Sequence, residues 1–324
     1  MSEPVVSSPR AQWTAAALLA ALAVLPYLGV LRGEFVAGDL EFIVENASLR
    51  EPSFWRDAFV HSYWYQGGAT DQAPYYRPLV VLLDGLNWAW FGADTLGYHL
   101  TNLLLHALAS LSVWRLLRLL MPSGFALWAA CLFAVHPIQV HAVAYISGRT
   151  SVLCTLLVVS SCVCGLRADA ARPRRARLLW SSASLLAFAA ALMAKEHAVV
   201  APLLGLCVLY GRSRDFARDV RGRAFRLGLE LLLVAGYLLL RKLVLGHLGG
   251  TTPALWERLG PLSALLSIAK IVGFYPWKLL WPSGLSYLPP FVPVLDASSL
   301  VGWCWLLGAA LVLGTLVVLR ARYR

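Results

Sequence analysis

The sequence predicts an all-α polytopic membrane protein, a bundle of about eight transmembrane helices with a large first extracytoplasmic loop and helices lying in the interface. Three observations carry this. Hydrophobic residues make up 59% of the 324-residue chain against 14% charged, and the mean hydropathy is +0.66, a balance suited to a lipid-facing bundle. Apolar runs of span length recur along the whole chain. Basic residues gather in alternate connections, as membrane orientation requires. A net charge of +11 would suggest nucleic acid in a soluble protein, but clustering between spans fits orientation instead, so no nucleic-acid partner is expected.

Trp13–Leu31 forms the first span after a short tail (1–12) whose one basic residue is Arg10. Its apolar core is too long for a removable signal peptide, and it reads as a signal anchor with its amino end inside. From 33 to 98 the chain is polar and aromatic. It holds nine Asp or Glu against three Arg. Within it Pro78–Phe91 has 14 residues, short of the ~20 needed to cross, and its Asp84, Asn87, Trp88 and Trp90 mark a helix lying in the interface. The further spans are His99–Leu120, Phe125–Val135, Ser151–Leu166, Leu178–Ala194, Ala198–Tyr210, Leu227–Leu245 and Ser299–Leu319, two of them short.

Seventeen of the 28 Lys and Arg residues fall on one side. They comprise Arg10, Arg115 and Arg118, the 167–177 and 212–226 clusters, and the tail arginines, and that side is the cytoplasm. Pro261–Trp281 is long enough to span, yet holds Lys270, Pro276 and Lys278. Parity therefore makes it a re-entrant or interfacial helix in an outer-side connector, 246–298, with both termini cytoplasmic. The whole chain, 1–324, reads as one integral-membrane domain without internal repeats. All six cysteines lie in apolar runs, so neither a disulfide framework nor a metal site is indicated.

The chemistry is expected to begin in Gly33–Asn46, GEFVAGDLEFIVEN, which places Asp39, Glu41 and Glu45 among apolar residues at the membrane edge, where a carboxylate is readily desolvated. The most distinctive string is Leu132–Leu153, LFAVHPIQVHAVAYISGRTSVL. With FVAGDLEFIVEN, Tyr76-Arg77-Pro78-Leu79, His99-Leu100-Thr101-Asn102, Lys195-Glu196 and Trp281-Pro282-Ser283, it resembles the membrane half of the transmembrane and tetratricopeptide-repeat O-mannosyltransferases, and more broadly the GT-C class of glycosyltransferases. The resemblance implies a GT-C-like bundle, a donor sugar carried on a polyprenyl phosphate, a hydroxyl acceptor on protein or glycan, and an extracytoplasmic active face. It places the family's catalytic acid at Asp39. The family's adjacent acid is replaced by Gly38, and the acids expected at two further positions are replaced by His141 and Ser151.

Glycosyl transfer from a lipid phosphate needs a base for the acceptor hydroxyl, whereas the phosphate leaves without a general acid. Asp39 is the expected base, with Glu41 as its understudy. The departing phosphate needs fixed positive charge, for which Arg77, Arg149 and Lys195 stand at the outer mouths of spans. His99, Asn102, His136, His141 and Glu196 are expected to line the substrate cavity. Each has a plainer reading: Arg77 as an interfacial anchor, Arg149 as a neutraliser of a helix end, Lys195-Glu196 as a self-neutralising pair, and His99 with Asn102 as a polar packing seam. The spacing of His136 and His141 is poor for a helical metal face, and no metal or other cofactor is expected. A transporter and a non-catalytic scaffold of the same fold remain the rival readings.

Overall fold

A computed structural model describes residues 8–63, 75–213, 215–248 and 260–286, together with 293–294, 298, 300, 303–308 and 310. Every regular element among the described residues is helical. The chain divides into two compact units, Met1–Gly249 and Gly250–Arg324.

In the first unit, α1 (Pro9–Val24) starts at Ser8, whose hydroxyl accepts from Ala11 N at 3.3 Å, with Pro9 in the first turn where a missing N–H costs nothing. It tightens into a 3₁₀ continuation, Leu25–Arg32. The outer loop follows as a π-helical turn (Leu40–Val44), a 3₁₀ turn (Ala47–Arg50), α2 (Phe54–Val60) and α3 (Pro78–Phe91). Helix α3 buries Val80, Val81, Asp84 and Asn87 on one face and exposes Leu86, Trp90 and Phe91 on the other. Asp94 then caps α4 (Thr95–Leu120), accepting from Leu96 N at 3.0 Å, so this helix begins four residues before the expected His99.

α5 (Ser123–Val135) and α6 (Val140–Ala144) meet at a 47° bend, followed by α7 (Arg149–Ala170), α8 (Arg174–Ala194), α9 (Ala201–Arg212) and α10 (Phe216–Leu245). Helix α10 starts well before the expected Leu227. Asp215 caps it by accepting from Arg218 N, and the arginine-rich stretch, made of good helix formers, simply continues the helix. Helices α1, α4, α5, α7 and α8 are neighbours in the bundle. An alanine ladder on α5 (Ala126, Ala130, Ala134) lets α1 and α4 approach through Leu19, Ala23, Ala107 and Trp114. Between α7 and α8, Ser161 and Ser184 each donate to the other's backbone carbonyl at 2.9 Å, a polar clamp in an apolar interface.

Among the described residues, four helices are long and apolar enough to cross a membrane: Pro9–Arg32, Thr95–Leu120, Ile146–Ala170 and Arg174–Ala194. The bent pair makes a fifth if counted as one span. Of the other expected spans, 198–210 corresponds to the 12-residue α9, 227–245 is the end of the 30-residue α10, and most of 299–319 lies outside the described residues.

In the second unit, α11 (Pro261–Leu280) carries Pro276 within it and buries Ser263, Leu266, Ser267 and Ala269. The Ser267 hydroxyl accepts from Val294 N at 2.9 Å.

Candidate active site

The site grows out of the break between α5 and α7. Pro137 cannot continue the hydrogen-bond ladder, and His136 before it is held extended (φ −64°, ψ 129°), with its Nδ1 accepting from Ile138 N at 3.2 Å. The chain then doubles back tightly. A Cβ at position 148 would lie 2.5 Å from His141 O and 2.9 Å from Ala142 O, so only glycine fits there. Breaking the helix frees carbonyls, and one side chain gathers them: the Asn102 amide donates to the oxygens of Val143, Tyr145 and Ile146 at 3.1–3.2 Å.

Against this turn lies Asp39, fully buried. Its Oδ1 accepts from Ser147 N at 2.8 Å and from the Ser147 hydroxyl at 2.6 Å, and its Oδ2 accepts from Val36 N at 3.2 Å. Two residues earlier Ala37 sits at φ 49°, a strained conformation for a residue with a Cβ and one that helps turn the carboxylate inward. Burial raises the Asp39 pKa, while the Ser147 and Val36 hydrogen bonds and the nearby Arg149 restrain the rise. Gly38 faces the Tyr145 hydroxyl, which would stand 2.8 Å from a Cβ there, and a Phe42 ring carbon would stand at 2.7 Å. An acid at position 38 therefore requires both side chains to move.

Behind Asp39 is a sealed cation. Arg149 is wholly buried. It donates through Nε to Asn102 Oδ1 (3.0 Å) and Ile146 O (3.1 Å), through Nη1 to Asp84 Oδ1 (3.0 Å), and through Nη2 to Tyr98 O (3.1 Å). Asp84 is 2% exposed. Burial pushes its pKa up to about 6 and Arg149 opposes the rise. The Tyr63 hydroxyl lies 3.4 Å from the other Asp84 oxygen.

Tyr63 also links to the outer pair. Arg77 stacks over Tyr75 at 4.1 Å and approaches Tyr63 at 5.8 Å, and it forks onto Glu196 with contacts of 3.0 and 2.7 Å. The side chains of this pair are 11% and 21% exposed, so it is reachable where Arg149–Asp84 is not. Burial works against both charges and each wins from the other: Glu196 falls below the usual carboxylate range and Arg77 rises. Next to it the Lys195 ammonium donates to the Ser151 hydroxyl at 2.7 Å, and burial together with the Arg77 charge lowers its pKa.

One end of the first unit thus brings together Asp39, Asn102 and Arg149, with Arg77, Lys195 and Glu196 beside them. Arg149 does not stand open at the mouth of a span, because it is wholly buried and directed at Asp84, Asn102 and the carbonyls of Tyr98 and Ile146. His99 is buried with its ring against Gly33, where Nε2 would lie 3.0 Å from a Cβ. His141 is exposed, its ring 5.5 Å from that of Tyr145, and His136 serves the proline turn. Glu41 is half-buried on the π-helical turn and makes no ion pair among the described residues. Sequence reasoning missed Asp84, Tyr63 and Ser147 as members of the cluster. The available signal was Asp84, a carboxylate in the middle of an otherwise apolar helix. No group of three or more His, Cys, Asp or Glu suited to a metal occurs among the described residues.

With this geometry in place, comparison with known proteins adds a second line. The chain is 36% identical over 205 residues, 58% of its length, to Protein O-mannosyl-transferase Tmtc1 of Drosophila melanogaster. It is 40% identical over 148 residues, 44% of its length, to Protein O-mannosyl-transferase TMTC1 of Homo sapiens, and 32% identical over 151 residues, 45% of its length, to Protein O-mannosyl-transferase F38B6.6 of Caenorhabditis elegans. These relatives carry the name of the family that the motifs resemble. The chain covers only about a fifth of their length: 22%, 17% and 22% respectively. No protein-family model and no solved structure matches it.

Proposed function

We propose that the chain is an integral-membrane glycosyltransferase that moves a mannose-type hexose from a polyprenyl-phosphate donor to a hydroxyl of a protein or glycan acceptor at the extracytoplasmic face. In this reading the acceptor oxygen bonds to the sugar anomeric carbon as the bond from that carbon to the phosphate oxygen breaks. The hydroxyl proton passes to Asp39, and the polyprenyl phosphate leaves as the anion. A carboxylate has about four acceptor positions, and Asp39 spends three on Ser147 and Val36, which leaves one lone pair on Oδ2 for the acceptor hydroxyl; because Asp39 is fully buried, this reading requires the outer loop to part from the turn when the acceptor binds. Arg77 and Lys195 receive the phosphate, and Arg149 acts from behind as a fixed charge that orients the turn carrying Ser147. His99, Asn102, His141 and Glu196 shape the surrounding wall. The reaction requires no cofactor. About eight spans with both termini cytoplasmic put this end of the bundle outside.

One observation carries the proposal: the outer-loop acid of the family pattern is a buried carboxylate clasped by the HP…GR turn, with its pKa raised into a more basic range. The names of the relatives support the same chemistry. A second reading, a non-catalytic scaffold of the same fold, is favoured by the mutual neutralisation of Asp84 with Arg149 and of Arg77 with Glu196. Transfer of radiolabelled sugar from a panel of polyprenyl-phosphate donors to peptide and glycan acceptors decides between them. Labelled product from a mannosyl donor supports the enzyme, and no product from any donor by inserted, folded protein rejects it.

A further inference from the structure

At the opposite end of the first unit, α4, α7 and α8 part around a cavity of about 310 Å³, large enough for a lipid headgroup. Arg115 lies 13 residues beyond Asn102 on α4, and Arg167 lies 18 residues beyond Arg149 on α7, which at 1.5 Å per residue places the cavity roughly 20–27 Å from the site above. Ser112 and Arg115 share one face of α4, as do Ser160, Cys164 and Arg167 on α7, and all five line the cavity. Trp180 of α8 closes the third wall, and the Arg167 guanidinium is held over its ring at 4.8 Å.

The charge in this cavity is unbalanced. Nearby arginines at this end of the bundle are matched by acids: Arg223 and Arg226 meet Asp169 at 2.7 and 3.0 Å. Arg115 and Arg167 meet no carboxylate among the described residues. The two serine hydroxyls stand 3.5 Å apart, at the limit of a hydrogen bond, and retain capacity for another partner. The carboxyl ends of α4 and α7 point this way, and each adds roughly half a negative charge that favours the arginines and opposes an anion. Two full guanidinium charges on a half-enclosed wall exceed that opposition. Two arginine forks with two hydroxyls form a donor set matched to phosphate oxygens.

We infer that this cavity binds a phosphate group between Arg115 and Arg167, presented by an anionic lipid headgroup or free in solution. The site is separate from the transfer reaction and does not depend on it. The test uses the full chain purified into nanodiscs of phosphatidylcholine with and without phosphatidylinositol 4-phosphate, with retained lipid counted by native mass spectrometry. In parallel, alkylation of Cys164, which lines the cavity, is followed by peptide mass with and without inorganic phosphate. If a headgroup is the source, the inositol lipid is retained, and Arg115→Gln and Arg167→Gln each weaken retention roughly tenfold, while Arg174→Gln, outside the cavity, does not. If free phosphate is the source, lipid retention is absent and phosphate slows Cys164 alkylation in the wild type but not in either variant. Neither retention nor slowing in the wild type overturns the inference, as does an equal loss with Arg174→Gln. The wild-type alkylation arm stands even where a variant fails to fold.

Discussion

Replacing Arg149 with methionine tests the sealed cluster most severely. The side chain is fully buried and makes four hydrogen bonds, but their loss does not count equally. Ile146 O still accepts from Asn102 Nδ2, and Tyr98 O, inside α4, keeps its helical donor. Asn102 Oδ1 loses its donor, a loss of about 1–3 kcal/mol. The larger effect is on Asp84, left as a buried carboxylate without a counterion, and breaking such a pair from one side costs about 3–5 kcal/mol. Protonation of Asp84 limits that cost, so the Arg149→Met defect should be largest at pH 7 and shrink toward pH 5. The paired replacement Asp84→Leu with Arg149→Met should recover most of the stability lost in the single variant, because removing both partners leaves no orphan charge. Equilibrium unfolding in mixed micelles, followed by tryptophan fluorescence as a double-mutant cycle, measures the coupling directly. An Arg149→Met loss below about 1 kcal/mol, or a double variant showing the plain sum of the singles, would refute the assignment of this pair as the brace behind Asp39.

Three further outcomes follow from the same geometry. Burial raises the pKa of both Asp39 and Asp84, the latter to about 6. A group that binds its proton more tightly when folded favours folding as pH falls, so the Asp84 contribution, read as the stability difference between the parent and Asp84→Asn in unfolding titrations, should move in favour of the parent from pH 7 toward pH 5, while transfer, which needs ionised Asp39, falls; a difference that moves the other way would contradict the sign. Transfer activity should survive EDTA, since a phosphate leaving group can be held by Arg77 and Lys195 alone; loss that is restored by manganese or magnesium would recast Asp39 and Glu41 as ligands. Cysteine labels near Arg174 and at the carboxyl terminus should react only from the cytoplasm, and labels near Thr70 only from outside; an external carboxyl terminus would mean that α11 crosses the membrane.

Asp39, Asn102 and Arg149 were named from the sequence through motifs that resemble a known family and, for Asp39, through its place among apolar neighbours in the first outer loop. The fold-back at His136-Pro137 that gathers them was not read there, because the close approach that admits only glycine at position 148 is a contact with backbone several residues away. The pairing of Arg149 was not legible. Its partner Asp84 comes from a helix 65 residues away in sequence, where one carboxylate on a short amphipathic helix reads as the wet face of an interfacial segment. Orientation decided otherwise: α3 turns Asp84 and Asn87 inward and shows Leu86, Trp90 and Phe91 outward. Helix α10 runs well beyond the expected span for a related reason. Hydropathy ends a span at the first arginines, whereas helix propensity and the Asp215 cap carry the helix straight through them. Glu41 could not be ranked below Asp39 by spacing alone, because the turn at Ala37–Gly38 that buries Asp39 is tertiary.

The central claim, that Asp39 takes the acceptor proton, is tested most directly by comparing the sugar-transfer rates of Asp39→Asn and Glu41→Gln with the parent at saturating donor, in protein shown to be inserted and folded. Asparagine preserves the shape and both acceptor roles toward Ser147, gives up the one toward Val36 N and removes the base, so transfer should fall by roughly 10² or more, while Glu41→Gln changes it little. Wild-type transfer by Asp39→Asn would contradict the account and move the search to Glu41.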